Sequence, residues 1–302
     1  MPATTAPTTQ KPLKPLRGVR VLSLALNLPG PAALMRLRAM GATCTKAEPP
    51  APAGLSSGDP MGQYNPGAYA TMHSGVRTIT VDLKSAKGQA QLQRELARTD
   101  VLLTSFRPSA LTKLGLGWKA LHKAHPALSV VAIVGAPGAR AEEPGHDLTY
   151  LADAGLVTGL DLPATLFADM GGALMAAEAV LKAVLTQKTS GQGVFQEVAL
   201  SDAAAWLALP RSWGLTQPSG AVGGAHAGYR VYPCKNGRVA LAALEPHFAA
   251  GLCQVVGVQM QGMATMFKPA THAAIAQFVA GQTRAQLDKL AAKHDLPLHT
   301  LG

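Results

Sequence analysis

Short, uniformly apolar runs alternate with stretches in which apolar residues recur every three or four positions, the pattern of buried strands between amphipathic helices. Val19–Leu26 is such a run, ended by Asn27, Pro29 and Gly30, and predicts a buried strand. Ala32–Met40 predicts a helix with Pro31 in its first turn and Gly41 ending it, and Thr43–Ala47 a second strand. From Pro49 to Gly75 the chain is dense in Pro, Gly and Ser and reads as loop. Regular structure resumes with strand Thr78–Val81, helix Ala86–Arg98, strand Val101–Thr104, a helix around Trp118–Lys123 and strand Leu128–Val134. Residues 147–157 and 168–187 predict helices, Val194–Leu200 a strand and Asp202–Leu215 a helix. Beyond a Gly-rich stretch, Tyr229–Pro233 and Arg238–Ala243 pair as a hairpin turning at Asn236-Gly237, followed by helices at Pro246–Val256, Thr271–Ala280 and Arg284–Lys293.

Strand–helix alternation of this kind builds a parallel sheet covered on both faces. The expected fold class is therefore α/β, a Rossmann-like parallel-sheet large domain plus a small α+β domain. Residues 1–17, rich in Pro and Thr and without periodicity, form a tail; 18–216 form the large domain, 217–228 a Gly-rich linker and 229–302 the small domain.

Composition narrows the function classes. Of 302 residues, 48% are apolar and 15% charged, a globular balance. No apolar run approaches the roughly 20 residues that a helical membrane span needs. The first residues lack the apolar core of a signal peptide, which points to the cytoplasm. Cys44, Cys234 and Cys253 are too scattered for a disulfide framework or a zinc cage, and no metal is expected. The net charge of +10 invites a polyanionic partner. Aromatic residues are only 5% and the cations are dispersed, so a phosphorylated small molecule fits better than nucleic acid.

There is no P-loop, HExxH, GxSxG or CxxC motif, and Asn27-Leu-Pro-Gly30 is not a three-glycine dinucleotide fingerprint. What remains are polar groups at helix starts: Gly145-His146-Asp147 before one helix, and Asp169 before Gly171-Gly172 and a long apolar helix. Helix starts present unpaired N–H groups and favour anions. On pattern alone Asp147 and Asp169 are N-caps and His146 a loop residue. An acid/base pair requires that His146 and Asp169 meet across one cavity.

A longer set of segments goes further. In order along the chain come Leu16-Arg-Gly-Val-Arg-Val21, Pro29-Gly-Pro31, Met40-Gly-Ala42, Lys46-Ala-Glu-Pro49 and Arg77-Thr-Ile-Thr-Val-Asp-Leu-Lys84. Then follow Thr99–Leu103, Phe106-Arg-Pro108, Leu114-Gly-Leu-Gly117, Gly145-His-Asp147, Phe167–Gly172, Ser190–Gly193, Gly223-Gly-Ala225 and Leu244-Glu-Pro-His-Phe248. In this collinear set, from Leu16 to about His299, the chain resembles the family III CoA-transferases of CaiB/BaiF type, above all their α-methylacyl-CoA racemase branch.

The resemblance implies that His146 and Asp169 are the two catalytic acid/base groups and that Glu245 is the carboxylate partnering the histidine. Inverting an α-carbon needs one group to remove a proton from one face and another to return one to the opposite face. Histidine suits either task, and a neighbouring carboxylate orients it. The N–H groups following Asp169 are candidate donors to the thioester enolate. The resemblance also implies a CoA site at Val81, Asp82, Leu83 and Lys84 and at Gly145, Asp147, Leu148, Thr149 and Tyr150. Arg77 and Arg107 are its candidate phosphate ligands, and Lys46 is either a third or an exposed strand-end lysine. CoA enters as the substrate thioester, with no prosthetic group. The implied assembly is a homodimer whose site joins one chain's large domain to the small domain carrying Glu245, or a complex with a heteromeric partner.

Four departures bear on activity. Val76-Arg77 keeps one cation where the family has Lys-Arg; Val134-Gly-Ala-Pro-Gly138 lacks the family's aromatic; Thr149 stands where the racemases have Asn; and the chain ends near Leu301, where members run on to a returning C-terminal segment. The reading is an acyl-CoA racemase or epimerase inverting a 2-methylacyl-CoA by two-base proton transfer. The alternatives are a CoA transferase working through an aspartyl intermediate and a degenerate CoA-binding subunit. His146 and Glu245, with the short Gly223-Gly224 run, favour the racemase. Met260, Met263 and Met266 are candidates for the acyl pocket, with core packing as the alternative.

Overall fold

The computed structural model describes residues 13–302. The chain divides into two compact units, one ending at Ala208 and the other spanning Leu209–Gly302. Of the expected tail, residues 1–12 lie outside the described residues. Leu16 is 1% exposed, and its N–H donates to the Met40 carbonyl at 3.0 Å, so the ordered fold begins before Gly18.

The first unit is built on six strands: β1 (Arg20–Ser23), β2 (Thr43–Glu48), β3 (Arg77–Thr80), β4 (Val101–Thr104), β5 (Ser129–Val134) and β6 (Phe195–Ala199). All pair in parallel in the order β3-β2-β1-β4-β5-β6. In β4 and β5 every residue is buried, because helices cover both faces of a parallel sheet. Successive side chains alternate between those faces. Val21, Leu103, Val131 and Ile133 pack beneath α1 (Pro29–Ala39) and α8 (Phe167–Ser190). Leu22, Leu102 and Val130 face the opposite layer. That layer contains α4 (Ala86–Leu96), α5 (Pro108–Lys113) and α6 (Trp118–Ala124). Helix α8 presents Ala173, Ala176, Ala177, Val180 and Val184 at helical spacing, and these small residues let it lie close against α1.

The stretch from Pro49 to Gly75, expected as loop, contains α2 (Pro60–Tyr64) and α3 (Pro66–Met72). Each opens with an Asx-Pro pair. The Asp59 carboxylate accepts the Met61 N–H at 2.9 Å, and Asn65 Oδ1 accepts the Ala68 N–H at 3.0 Å. Proline at the first helical position has no N–H to leave unpaired, so both dipeptides are start signals rather than loop signals. Helix α5 also has proline at its first position, after Arg107, without a side-chain cap. Helix α7 (Asp147–Asp153) is shorter than the sequence suggests, and the helix expected over 202–215 is broken into α9 (Leu200–Leu207) and α10 (Leu209–Ser212).

In the second unit β7 (Tyr229–Cys234), β8 (Gly237–Ala242) and β9 (Leu298–Leu301) form an antiparallel sheet in that order. It packs with α11 (Pro246–Val256), α12 (Pro269–Ala280) and α13 (Arg284–His294) around Tyr232, Val239, Leu252, Ile275 and Val279. The hairpin pairs through Cys234 and Gly237, so the connecting residues are Lys235-Asn236 rather than Asn236-Gly237. Gly237 is required there: φ is 152°, and a Cβ would stand 2.2 Å from the Leu301 carbonyl oxygen. Met266 is fully buried in this core, with Met260 and Met263 packed against it, which decides for core packing.

Candidate active site

Strands β1 and β4 are neighbours in the sheet, but the chain leaves them toward opposite edges, and ligands of such sheets bind beyond the strand ends at this switch point. A cleft of about 210 Å³ opens there, walled by the segments that follow β1, β4 and β5. Asn27, Pro29, Ser105, Arg107, Tyr150 and Leu200 line it together with His146 and Asp169. The two residues singled out as an acid/base pair therefore face one cavity.

Local structure explains their placement. His146 is the N-cap of α7, and its own N–H donates to Thr149 Oγ1 at 3.1 Å, which fixes the backbone and leaves the exposed imidazole for the cleft. Asp147, the first residue of α7, is buried and accepts the Asp169 N–H at 2.9 Å. One carboxylate thus ties the start of α7 to the first turn of α8. Gly135 and Gly145 let the Tyr150 ring in, since a Cβ at either would lie within 2.5 Å of its hydroxyl.

The Asp169 carboxyl is pushed up to about 6, first by burial and then by the neighbouring charge of Asp147, with His146 acting in the opposite sense. At that value a carboxyl exchanges protons near neutrality instead of remaining a fixed anion. Partial burial and the charge on Asp169 raise the Tyr150 phenol, against the pull of Arg107. Tyr64 is shifted in the same direction by burial, Asp59 and Asp169. Of the expected donors after Asp169, the Met170 N–H is bonded to the Leu166 carbonyl at 3.0 Å, and Asp169's own N–H is taken by Asp147.

The remaining sequence candidates separate into groups. Val81, Asp82, Leu83 and Lys84 line a second hollow of about 190 Å³, mostly apolar, with Leu24, Pro49 and Leu114. Phe106 borders both this hollow and the cleft. Arg107 is the exposed N-cap of α5 at the cleft, and Gly145 lines it too, while Leu148 and Thr149 lie on the exposed face of α7. Arg77 is not brought to this end of the sheet. It opens β3 and shares Glu95 with Arg98, in a hollow that includes Arg20 and Thr43 at the strand starts. Glu245 is the exposed N-cap of α11 in the second unit. Lys46 is neither exposed nor a free cation: it is 0% exposed and paired with Asp59 and Glu48. Glu48, Asp59 and His73 bring three ligand-type atoms within 4.8 Å of one another, and the Lys46 ammonium contacts all three groups. In the sequence pattern Asn27 reads as punctuation and Tyr64 as loop. An asparagine directly after a strand, where the backbone must turn sharply, was the available signal for the first.

Comparison with known proteins shows the family and the fold. The model of CoA-transferase family III matches residues 16–301. A probable fatty acyl-CoA transferase of Mycobacterium tuberculosis is 33% identical over 66% of the chain. The succinyl-CoA–D-citramalate CoA-transferase of Chloroflexus aurantiacus is 30% identical over 94%. The α-methylacyl-CoA racemase of Mus musculus is 30% identical over 84%. The chain spans 54%, 73% and 68% of the lengths of these relatives. A crystal structure of a hypothetical protein from M. tuberculosis superposes with a TM-score of 0.81 at 26% identity, covering 96% of this chain and 84% of that one. A CaiB/BaiF family protein from Brucella suis shares the fold, with a TM-score of 0.77 at 24% identity and the same coverage. Among the described residues no helix is long and apolar enough to cross a membrane.

Proposed function

The chain belongs to CoA-transferase family III, an enzymatic family of transferases and racemases, and from that premise we propose that it moves a proton at the α-carbon of an acyl-CoA thioester, inverting a 2-methylacyl-CoA or a similar substrate. The observation that carries this reading is that His146 and Asp169 line one cleft, with the Asp169 carboxyl poised near neutrality. One of the two removes the α-proton, the thioester holds the charge as its enolate, and the other returns a proton to the opposite face. For the reverse reaction their protonation states exchange. CoA takes part only as the thioester of the substrate. Its pantetheine arm runs past Phe106, its adenine ring occupies the apolar hollow at Val81–Lys84, and Arg107 meets a phosphate. Glu245 keeps the orienting role that the family resemblance gives it, tested by Glu245→Gln. A homodimer is the proposed assembly.

The test is deuterium uptake from D₂O into (R)- and (S)-2-methylacyl-CoA, followed by mass spectrometry and NMR. Uptake with loss of chirality from both enantiomers is expected, and His146→Ala and Asp169→Ala should each reduce it at least about 100-fold while CoA binding persists. Near-normal turnover in either variant refutes the two-base assignment. The transferase reading is favoured by the named CoA-transferase relatives, and a desolvated carboxylate is also a competent nucleophile. Trapping Asp169 as a hydroxamate with hydroxylamine, only in the presence of an acyl-CoA, would select it.

A further inference from the structure

Asn27 is one of two non-glycine residues with positive φ among the described residues, at 63°, and it sits in the cleft wall at the switch point. L-residues avoid this region because Cβ crowds the backbone, although asparagine tolerates it best. The turn is needed because the chain must reverse from β1 into α1 within a few residues. Gly30 packs so closely on Ala25 that a Cβ would lie 2.2 Å from the alanine methyl.

What holds Asn27 there lies outside the sheet. Its N–H donates to Asp59 Oδ1 at 3.1 Å, and the same oxygen accepts from Met61. Asp59 Oδ2 is bound by Lys46, and both residues are 0% exposed. Lys46 reaches Glu48 at 3.0 Å and His73 Nε2 at 2.8 Å. Ser57 Oγ and the Tyr69 hydroxyl donate to Glu48 at 3.0 and 2.7 Å, while His73 Nδ1 donates to the Tyr69 carbonyl at 2.6 Å. Every member is therefore satisfied, as a buried ionic cluster requires. On its other side Asn27 Oδ1 accepts the Tyr64 hydroxyl at 3.2 Å, and Tyr64 feels the charge on Asp169. The chain of contacts runs from a buried lysine through Asp59 to Asn27 in the cleft wall, and on to Tyr64.

We propose that Asp59, locked by Lys46, is a positioning residue that clamps Asn27 in its left-handed conformation and so sets the wall of the cleft against which the substrate is aligned. The role rests on the cleft being the reaction site. Asp59→Asn is the informative variant. The carboxylate uses one oxygen for the two backbone N–H groups and the other for Lys46, whereas an amide has a single acceptor. Either orientation of that amide sets an N–H against another donor.

Three quantities are measured on the full chain: hydrogen–deuterium exchange of the amides around Asn27, kcat and KM for α-proton exchange, and thermal stability. In the unaltered protein the Asn27 amide should exchange at least about tenfold slower than a free amide, although it lies in a loop. Asp59→Asn should abolish that protection and lower kcat about 10- to 100-fold, with KM changing far less, as expected for misalignment. Adding Asn27→Gly should recover at least about fivefold in kcat, because glycine holds a positive φ without the clamp. A purely structural role for Asp59 would lower stability and leave kcat per folded molecule unchanged, with no recovery from the glycine. That pattern, or an unprotected Asn27 amide in the unaltered protein, overturns the proposal. If Asp59→Asn does not fold, an unprotected Asn27 amide in the unaltered chain still overturns the clamp. Absence of α-proton exchange in the unaltered protein refutes the proposed chemistry alone, since amide protection is read without turnover.

Discussion

Replacing Asp169 by Asn isolates the cost of holding a carboxylate in the cleft. The side chain keeps its shape, and the backbone N–H that Asp147 accepts is untouched, so the main change is the loss of a charge. The lift from 3.8 to about 6 corresponds to about 3 kcal/mol, and partial solvent access reduces this to about 1–3 kcal/mol. The sign follows from the proton balance. A raised value means that the folded chain binds this proton more tightly than the unfolded chain does. Above about 6 the carboxylate is ionised in both states, and folding carries the full penalty. As pH falls from about 6 to 3.8 the penalty shrinks, and below that range it is gone. Asp169→Asn should therefore raise stability near pH 8 by about 1–3 kcal/mol and by only about 0.5 kcal/mol near pH 4, while removing turnover. Urea unfolding of both proteins at the two pH values, with the same spectroscopic probe, measures it. A variant less stable than the parent near pH 8, or a gain as large near pH 4, would refute the assignment of Asp169 as a desolvated acid.

Two further outcomes test other parts of the structure. Gly30→Ala should destabilise the first unit by about 1–3 kcal/mol and weaken acyl-CoA turnover together, because the added methyl meets Ala25 and the turn carrying Asn27 must shift; wild-type stability in thermal unfolding would show that the turn is looser than described. Cys44 is buried with its thiol pushed up to about 12, chiefly by burial, so iodoacetamide near pH 8 should label Cys234 well before Cys44, as peptide mass spectrometry would show.

How much of this was legible in the chain differs from element to element. Strands β4 and β5 could be read directly because burial on both faces demands uninterrupted apolar runs, and α11 because Glu245-Pro246 opens an amphipathic stretch. Helices α2 and α3 escaped because their composition is that of a loop, and only the Asx-Pro starts betray them. Strand β9 is four residues of mixed polarity that become a strand by pairing with β8. The type and spacing of His146, Asp147 and Asp169 marked them as candidates. Periodicity could not say whether they meet.

The sequence by itself determined the alternation that makes a parallel sheet, the helix starts that carry His146 and Asp169, and the collinear motifs that place the chain in its family. Only the tertiary structure decided that His146 and Asp169 share a cleft, that Arg77 faces away from it, and that Lys46 is buried. Lys46 and Arg77 look alike in the sequence, each a basic residue at the border of an expected strand and beside an apolar position. Their fates differ because β2 is interior and β3 is an edge strand, and because Asp59, thirteen residues beyond Lys46, folds back to meet its ammonium. Charge and hydropathy are local properties of a chain, whereas burial and pairing depend on which distant segments arrive at the same strand end.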